Sequence, residues 1–253
     1  MRAFQTLFAA FTLLGASALF AQSAPQAQEE APERAAPAQA EEAAPRVDAY
    51  TVTACPISGK ALGSMGEPIV LELDGRAVQL CCRGCVGPAN ADPAGTAAKV
   101  DAAFADQQRP HYPLTTCLIS GEPLAQDGVD VAVEVVVGNR LFRLCCDTCA
   151  AKVRRDPAAM HGKLDEAVIA AQSPDYPLQN CLVSDKNALG SMGEPVEFVV
   201  GDRLVRLCCG SCRPAFDAEP AKYLARLEAA WAAAAEEAGP ERDAASAGAG
   251  AGR

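Results

Sequence analysis

Nine of the twelve cysteines fall in one stretch written three times: Leu80-Cys81-Cys82-Arg83-Gly84-Cys85, Leu144-Cys145-Cys146-Asp147-Thr148-Cys149 and Leu207-Cys208-Cys209-Gly210-Ser211-Cys212. The other three, Cys55, Cys117 and Cys181, each stand upstream of one copy, with 25, 27 and 26 residues between them and the first cysteine of the pair. Three sets of four thiols can do three kinds of chemistry. Four thiolates from separate chain segments can converge on one tetrahedral ion at about 2.3 Å. They can instead pair as disulfides, in any of three connectivities per set. Cys82–Cys85, Cys146–Cys149 and Cys209–Cys212 also have the Cys-x-x-Cys spacing of thiol oxidoreductases. No βαβ pattern surrounds those motifs, and a redox pair leaves the upstream cysteine and the first member of each pair unexplained.

The elements that must position these thiols recur in the same order. A tyrosine stands five residues before each upstream cysteine (Tyr50, Tyr112, Tyr176). The cysteine is followed by an apolar pair and turn residues, as in Cys55-Pro56-Ile57-Ser58-Gly59, which predicts a knuckle. Two apolar runs then flank Asp74-Gly75, Gly138-Asn139 or Gly201-Asp202, and such dipeptides between β-branched runs predict a hairpin whose second strand delivers the cysteine pair. Past the last cysteine the period becomes helical. Thr96, Val100 and Phe104, Met160, Leu164 and Val168, and Tyr223, Leu227 and Trp231 recur at fixed offsets and read as the cover of the hairpin. Asp92-Pro93, Asp156-Pro157 and Glu219-Pro220 mark the helix starts. Arg76, Arg140 and Arg203 follow the hairpin turns and read as solvated turn charges, with pairing to the negative charge of a thiolate cluster as the alternative.

The expected fold is therefore α+β: three tandem small zinc-finger-like units, each a knuckle turn, a β-hairpin and a C-terminal helix, over 49–108, 109–172 and 173–236. Met1-Arg2 and the apolar run that follows predict a signal peptide over 1–21, so the expected location is periplasmic or extracellular, with no membrane insertion after cleavage. Residues 22–48, rich in Ala, Pro and Glu, and 237–253 are expected to be a disordered leader and tail. Aromatics are 5% of the chain, too few for a large core in units of roughly 60 residues, so metal or disulfides must supplement burial. A net charge of −10 disfavours nucleic acid and anionic membrane surfaces. No phosphate-binding loop or hydrolytic constellation is present.

Cys55-Pro56-Ile57-Ser58-Gly59, Leu207 to Cys212, and the run Phe216-Asp217-Ala218-Glu219-Pro220-Ala221-Lys222-Tyr223 resemble the YHS and TRASH families of heavy-metal-associated modules. The second unit has Val153 and Met160 for the aromatics of that run, and the first has Ala89 and Thr96. The resemblance implies treble-clef-like or zinc-ribbon folds and roles in metal trafficking, buffering, resistance or sensing, with Zn(II) or another thiophilic ion such as Cu(I) as the bound metal and a metal-transport protein as a partner. It implies as ligands Cys55, Cys81 and Cys85; Cys117, Cys145 and Cys149; and Cys181, Cys208 and Cys212. Two histidines, His111 and His161, cannot complete three equivalent sites. Cys82, Cys146 and Cys209 are therefore the candidates for the fourth ligand, with packing residue or disulfide partner as the alternatives, because neighbours on a strand point to opposite faces unless the chain turns between them. Leu62-Gly63-Ser64-Met65-Gly66-Glu67-Pro68 recurs at Leu189 to Pro195; its methionine would suit Cu(I), or the stretch is a plain glycine-rich loop. The expected function is non-catalytic metal binding, with a disulfide-stapled binding scaffold as the alternative and a thiol oxidoreductase behind both.

Overall fold

Turn chemistry sets the first elements. Asp74 and Gly75 adopt φ of +49° and +78°, and Gly138 and Asn139 +58° and +63°, the left-handed pairs that let two-residue loops follow the strand twist. The structure, a computed structural model, describes residues 46–238; the expected signal peptide, the expected leader up to residue 45 and the expected tail from residue 239 lie outside the described residues. The hairpins are β1 (Ile69–Leu73) with β2 (Arg76–Leu80), β5 (Val133–Val137) with β6 (Arg140–Leu144), and β7 (Val196–Val200) with β8 (Arg203–Leu207). Their registers are equivalent, Ile69 facing Leu80, Val133 facing Leu144 and Val196 facing Leu207. A small extra hairpin, β3 (Ala125–Gln126) and β4 (Val129–Asp130), turns on Asp127-Gly128, a signal of the same kind that the sequence reading passed over.

Each of the three cysteine-bearing hairpins is followed by two helices where one was expected. The first are α1 (Val86–Ala91), α3 (Asp147–Arg155) and α5 (Arg213–Ala218), and the second are α2 (Pro93–Gln108), α4 (Pro157–Gln172) and α6 (Pro220–Ala238). The residue before a proline is pushed out of the helical region, so the helix breaks and restarts. Asp92 and Asp156 cap the second helices, accepting from Gly95 N at 2.9 Å and Ala159 N at 3.2 Å. The whole is a mixture of helices and small antiparallel hairpins, the α+β class expected. Among the described residues no helix is long and apolar enough to cross a membrane.

The predicted stripe is core: Val100, Phe104, Leu164, Val168 and Leu227 are buried under the hairpins. The helices also reach across to the next hairpin. α2 packs on β5 and β6, and α4 on β7 and β8. The strands β6 and β8 are thereby covered on both faces, whereas β1, with no helix before it, leaves Val70 64% exposed. A glutamine at the end of each of these helices clips the turn it meets. Gln108 donates to Asn139 O and accepts from Leu141 N, at 2.8 and 2.9 Å; Gln172 does the same with Asp202 O and Leu204 N, at 2.6 and 2.9 Å.

Two expectations are corrected here. Arg140 and Arg203 are not solvated: they are 1% and 6% exposed. Arg76, Arg140 and Arg203 each pair with a carboxylate 25 residues on, Asp101, Asp165 and Glu228, which ties the second strand to the long helix of the same segment. A buried guanidinium needs such a partner, and the helix supplies it one residue past the buried stripe position. Arg46 to Asp48, placed in the leader by the sequence reading, is a packed strap. The Asp48 carboxylate accepts from Arg140 Nε at 2.7 Å and Gly201 N at 2.8 Å, and its backbone pairs with Gly138 O and Asn139 Nδ2. Arg46 reaches Asp165 and Val199 O. The strap joins the second and third hairpins.

Candidate metal centre

Each site is built from a knuckle and a strand end. In the first, Cys55 N donates to Lys60 O at 2.8 Å and Gly59 N to Cys55 O at 2.8 Å, a turn that needs Gly59 at φ +70°. Cys117, Glu122 and Gly121 repeat it. The third knuckle is one residue longer: Cys181 N donates to Asn187 O, and Asp185 stands where the other two have glycine. Strands β2, β6 and β8 end at leucine, and the chain bends at the cysteine pair before turning into the helix.

This brings together Cys55, Cys81 and Cys85, Cys117, Cys145 and Cys149, and Cys181, Cys208 and Cys212, with the three sulfurs of each set all within 4.8 Å of one another. Within the triads Cys81 and Cys85 stand 3.8 Å apart, Cys145 and Cys149 3.9 Å, and Cys208 and Cys212 3.8 Å. A tetrahedron with metal–sulfur bonds of about 2.3 Å has edges of about 3.8 Å. All twelve thiols are free, and none of these separations is near the 2.05 Å or so of a disulfide.

The paired residues Cys82, Cys146 and Cys209 stand outside the mutually close sets but beside them. Cys82 lies 3.9 Å from Cys85, Cys146 3.7 Å from Cys145, and Cys209 3.9 Å from Cys208. The bend at the pair is the turn that strand geometry requires for two adjacent side chains to approach one point.

Electrostatics inside each triad are uneven. Burial pushes the Cys55 thiol up, but hydrogen bonds from Cys81 N, the Ser58 hydroxyl and the Ser58 and Ile57 backbone outweigh it and bring the pKa down to about 6. Cys117 is likewise held at about 6 against burial, chiefly by Ser120 and by Cys145 N. Burial, helped by the neighbouring thiols, pushes Cys85, Cys149 and Cys212 up to about 12. Thiols bind a metal as thiolates, so a cation entering such a set displaces protons, which is how metal binding and proton release are linked.

Sequence reasoning took Ser58 and Ser120 only as turn residues; their hydroxyls lie 3.2 Å from Cys81 and Cys145. In the third site Asn187 Nδ2 takes that place, 3.8 Å from Cys208. The serine three residues past each upstream cysteine was the signal available. Met65 and Met192 are exposed, on loops turned by positive-φ glycines. His161 is buried, with Nε2 3.2 Å from Val137 O and its ring edge-on to Phe142, and burial lowers its pKa. Among the described residues no histidine or carboxylate joins a triad. Three groups of converging thiols can hold a metal ion each. Compared with protein-family models, curated proteins and solved structures, the chain matched none.

Proposed function

We propose that this is an exported, non-catalytic metal-binding protein of three tandem zinc-finger-like units, each holding one Zn(II) or another thiophilic ion such as Cu(I), for trafficking, buffering or resistance. The observation that carries the reading is the threefold recurrence of a triad whose sulfurs lie within 4.8 Å of one another, with one pair in each at coordination-edge distance. The resemblance to YHS and TRASH modules supports the same role, and the apolar run after Arg2 supports export. The reading is non-catalytic because the triads are made of thiols alone, with no general base in the set. A metal-transport protein that receives or supplies the ion is the partner this role requires.

The test is metal content against free thiol on protein purified without chelator and without air. About three ions per chain with the triad thiols protected from alkylation is the expected result. Metal-free protein with every cysteine in a disulfide would overturn it. The mass of the mature N-terminus checks export separately: cleavage near Ala21 is expected, and an intact Met1 would remove that part alone.

A further inference from the structure

The paired second cysteine is the one thiol in each set whose placement the triad does not explain. Its position relative to solvent is consistent across the three sites. The upstream cysteines Cys55, Cys117 and Cys181 are at most 2% exposed. Cys146 is exposed, and Cys82 and Cys209 are half-buried, as are the triad thiols Cys145 and Cys212, so in each set no thiol is more open to solvent than the paired one. In each site, then, the paired sulfur stands 3.7–3.9 Å from one triad sulfur, about one coordination edge, in a residue that is open to solvent at least in part.

The backbone reinforces this. Cys82, Cys146 and Cys209 are all extended, with φ near −165°, and each carbonyl accepts from the N–H of the last cysteine three residues on, at 3.1 to 3.3 Å. The extended residue and the turn after it leave the paired sulfur beside the triad. Cys82 and Cys209 rest only in part against the core, whereas the leucines before each pair, Leu80, Leu144 and Leu207, are wholly buried.

We propose that Cys82, Cys146 and Cys209 are displaceable fourth ligands, the solvent-side corner at which an incoming thiolate, from a small thiol or from a cysteine of a metal-carrying protein, takes hold of the ion. The inference rests on the metal-binding reading above and names the exchange step of those sites. In that step one metal–sulfur bond forms to the incoming thiolate while the bond to Cys146, or to Cys82 or Cys209, breaks. The proton shed by the incoming thiol ends on the released cysteine. No electrons change hands, and the three triad thiolates keep the ion seated throughout.

The experiment uses Co(II) as the probe ion on the full chain, because its sulfur-to-metal charge-transfer band reports how many thiolates are bound. The variant carries Cys82→Ala, Cys146→Ala and Cys209→Ala together. It is expected to bind the same number of ions as the wild type with a band weaker by about a quarter, one bond in four. Added 2-mercaptoethanol is expected to restore the band by filling the opened position. In the wild type, the rate of Co(II) transfer to a chelator is expected to rise with 2-mercaptoethanol concentration. A variant band equal to the wild type would show that these cysteines are not ligands. A weakened band that mercaptoethanol leaves unchanged, or a wild-type transfer rate independent of thiol, would show that the corner is not open to exchange. A variant that has lost far-ultraviolet ellipticity or ion stoichiometry assigns these cysteines to the permanent frame and equally overturns the proposal. Wild type that takes up no Co(II) fails the metal-binding reading itself, and the two failures are thus distinct.

Discussion

Asp48 shows how one residue can hold distant parts of a small-core protein together. Its carboxylate meets the guanidinium of Arg140, a side chain 1% exposed, and the backbone N–H of Gly201. Without Asp48 the guanidinium keeps Asp165 but loses a charged acceptor at Nε, and Gly201 N loses its partner; a hydrogen bond to a charged group contributes about 1.5–3 kcal/mol. Asp48→Ala is expected to lower stability by that order in chemical denaturation of the metal-loaded protein. A change below about 1 kcal/mol, the range of exposed pairs, would mean that the strap is peripheral. Asp202 carries the opposite sign. Burial, only partly offset by Arg203, pushes its pKa up to about 6. The folded state therefore holds this proton more tightly than the unfolded chain does, and the group's penalty grows as pH rises from about 4 to about 6 and is full above that. Asp202→Asn is expected to match the wild type at pH 4 and to melt higher at pH 7.5. Equal melting at both values would show that the buried carboxylate carries no penalty.

At the scale of elements, the two glycines of the first two hairpin turns have different duties. A β-carbon on Gly75 meets nothing within 4 Å, whereas one on Gly138 would lie 2.3 Å from Arg46 O. Both have φ in the left-handed region, so alanine costs about 1–2 kcal/mol at either from conformation alone. Gly138→Ala must in addition displace the strap, and overpacking adds about 1–3 kcal/mol. The melting temperature of Gly138→Ala is expected to fall well below that of Gly75→Ala; equal falls would mean that the strap yields freely. These elements show what a sequence can reveal. The hairpins and capped helices were legible because Asp-Gly turns, Asp-Pro starts and the four-residue stripe are local signals. The repeat aligned four cysteines per unit, and it was the resemblance to YHS and TRASH modules that implied which three form each triad. The buried role of Arg140 was not, since an arginine after a turn reads as solvated until the helix that covers it is known. Asp48 was hidden further, in a stretch whose composition resembles a leader and whose partners lie 92 and 153 residues on.

At the scale of the whole molecule, the question is whether three similar segments behave as independent beads. The contacts argue against independence. Gln108 carries the first long helix onto the second hairpin, Gln172 carries the next onto the third, and the Arg46–Asp48 strap bridges the second and third hairpins. The middle segment takes part in all three connections. Small metal sites draw much of their folding free energy from the ion, so a lost ligand set is felt as lost structure. Cys117→Ser removes a deeply buried triad thiol from that middle segment. Independent beads would then retain about two ions with unchanged exchange rates, given three triads at the start. Coupled segments would release the remaining ions faster, and amide exchange would rise in α2 and in the β7–β8 hairpin, which lose the surface they pack on. We expect the coupled result, measured by chelator competition and hydrogen exchange on the same sample. Two ions held as tightly as in the wild type, with α2 and β7–β8 still protected, would show that the glutamine clips and the strap hold the segments in place without linking their metal sites.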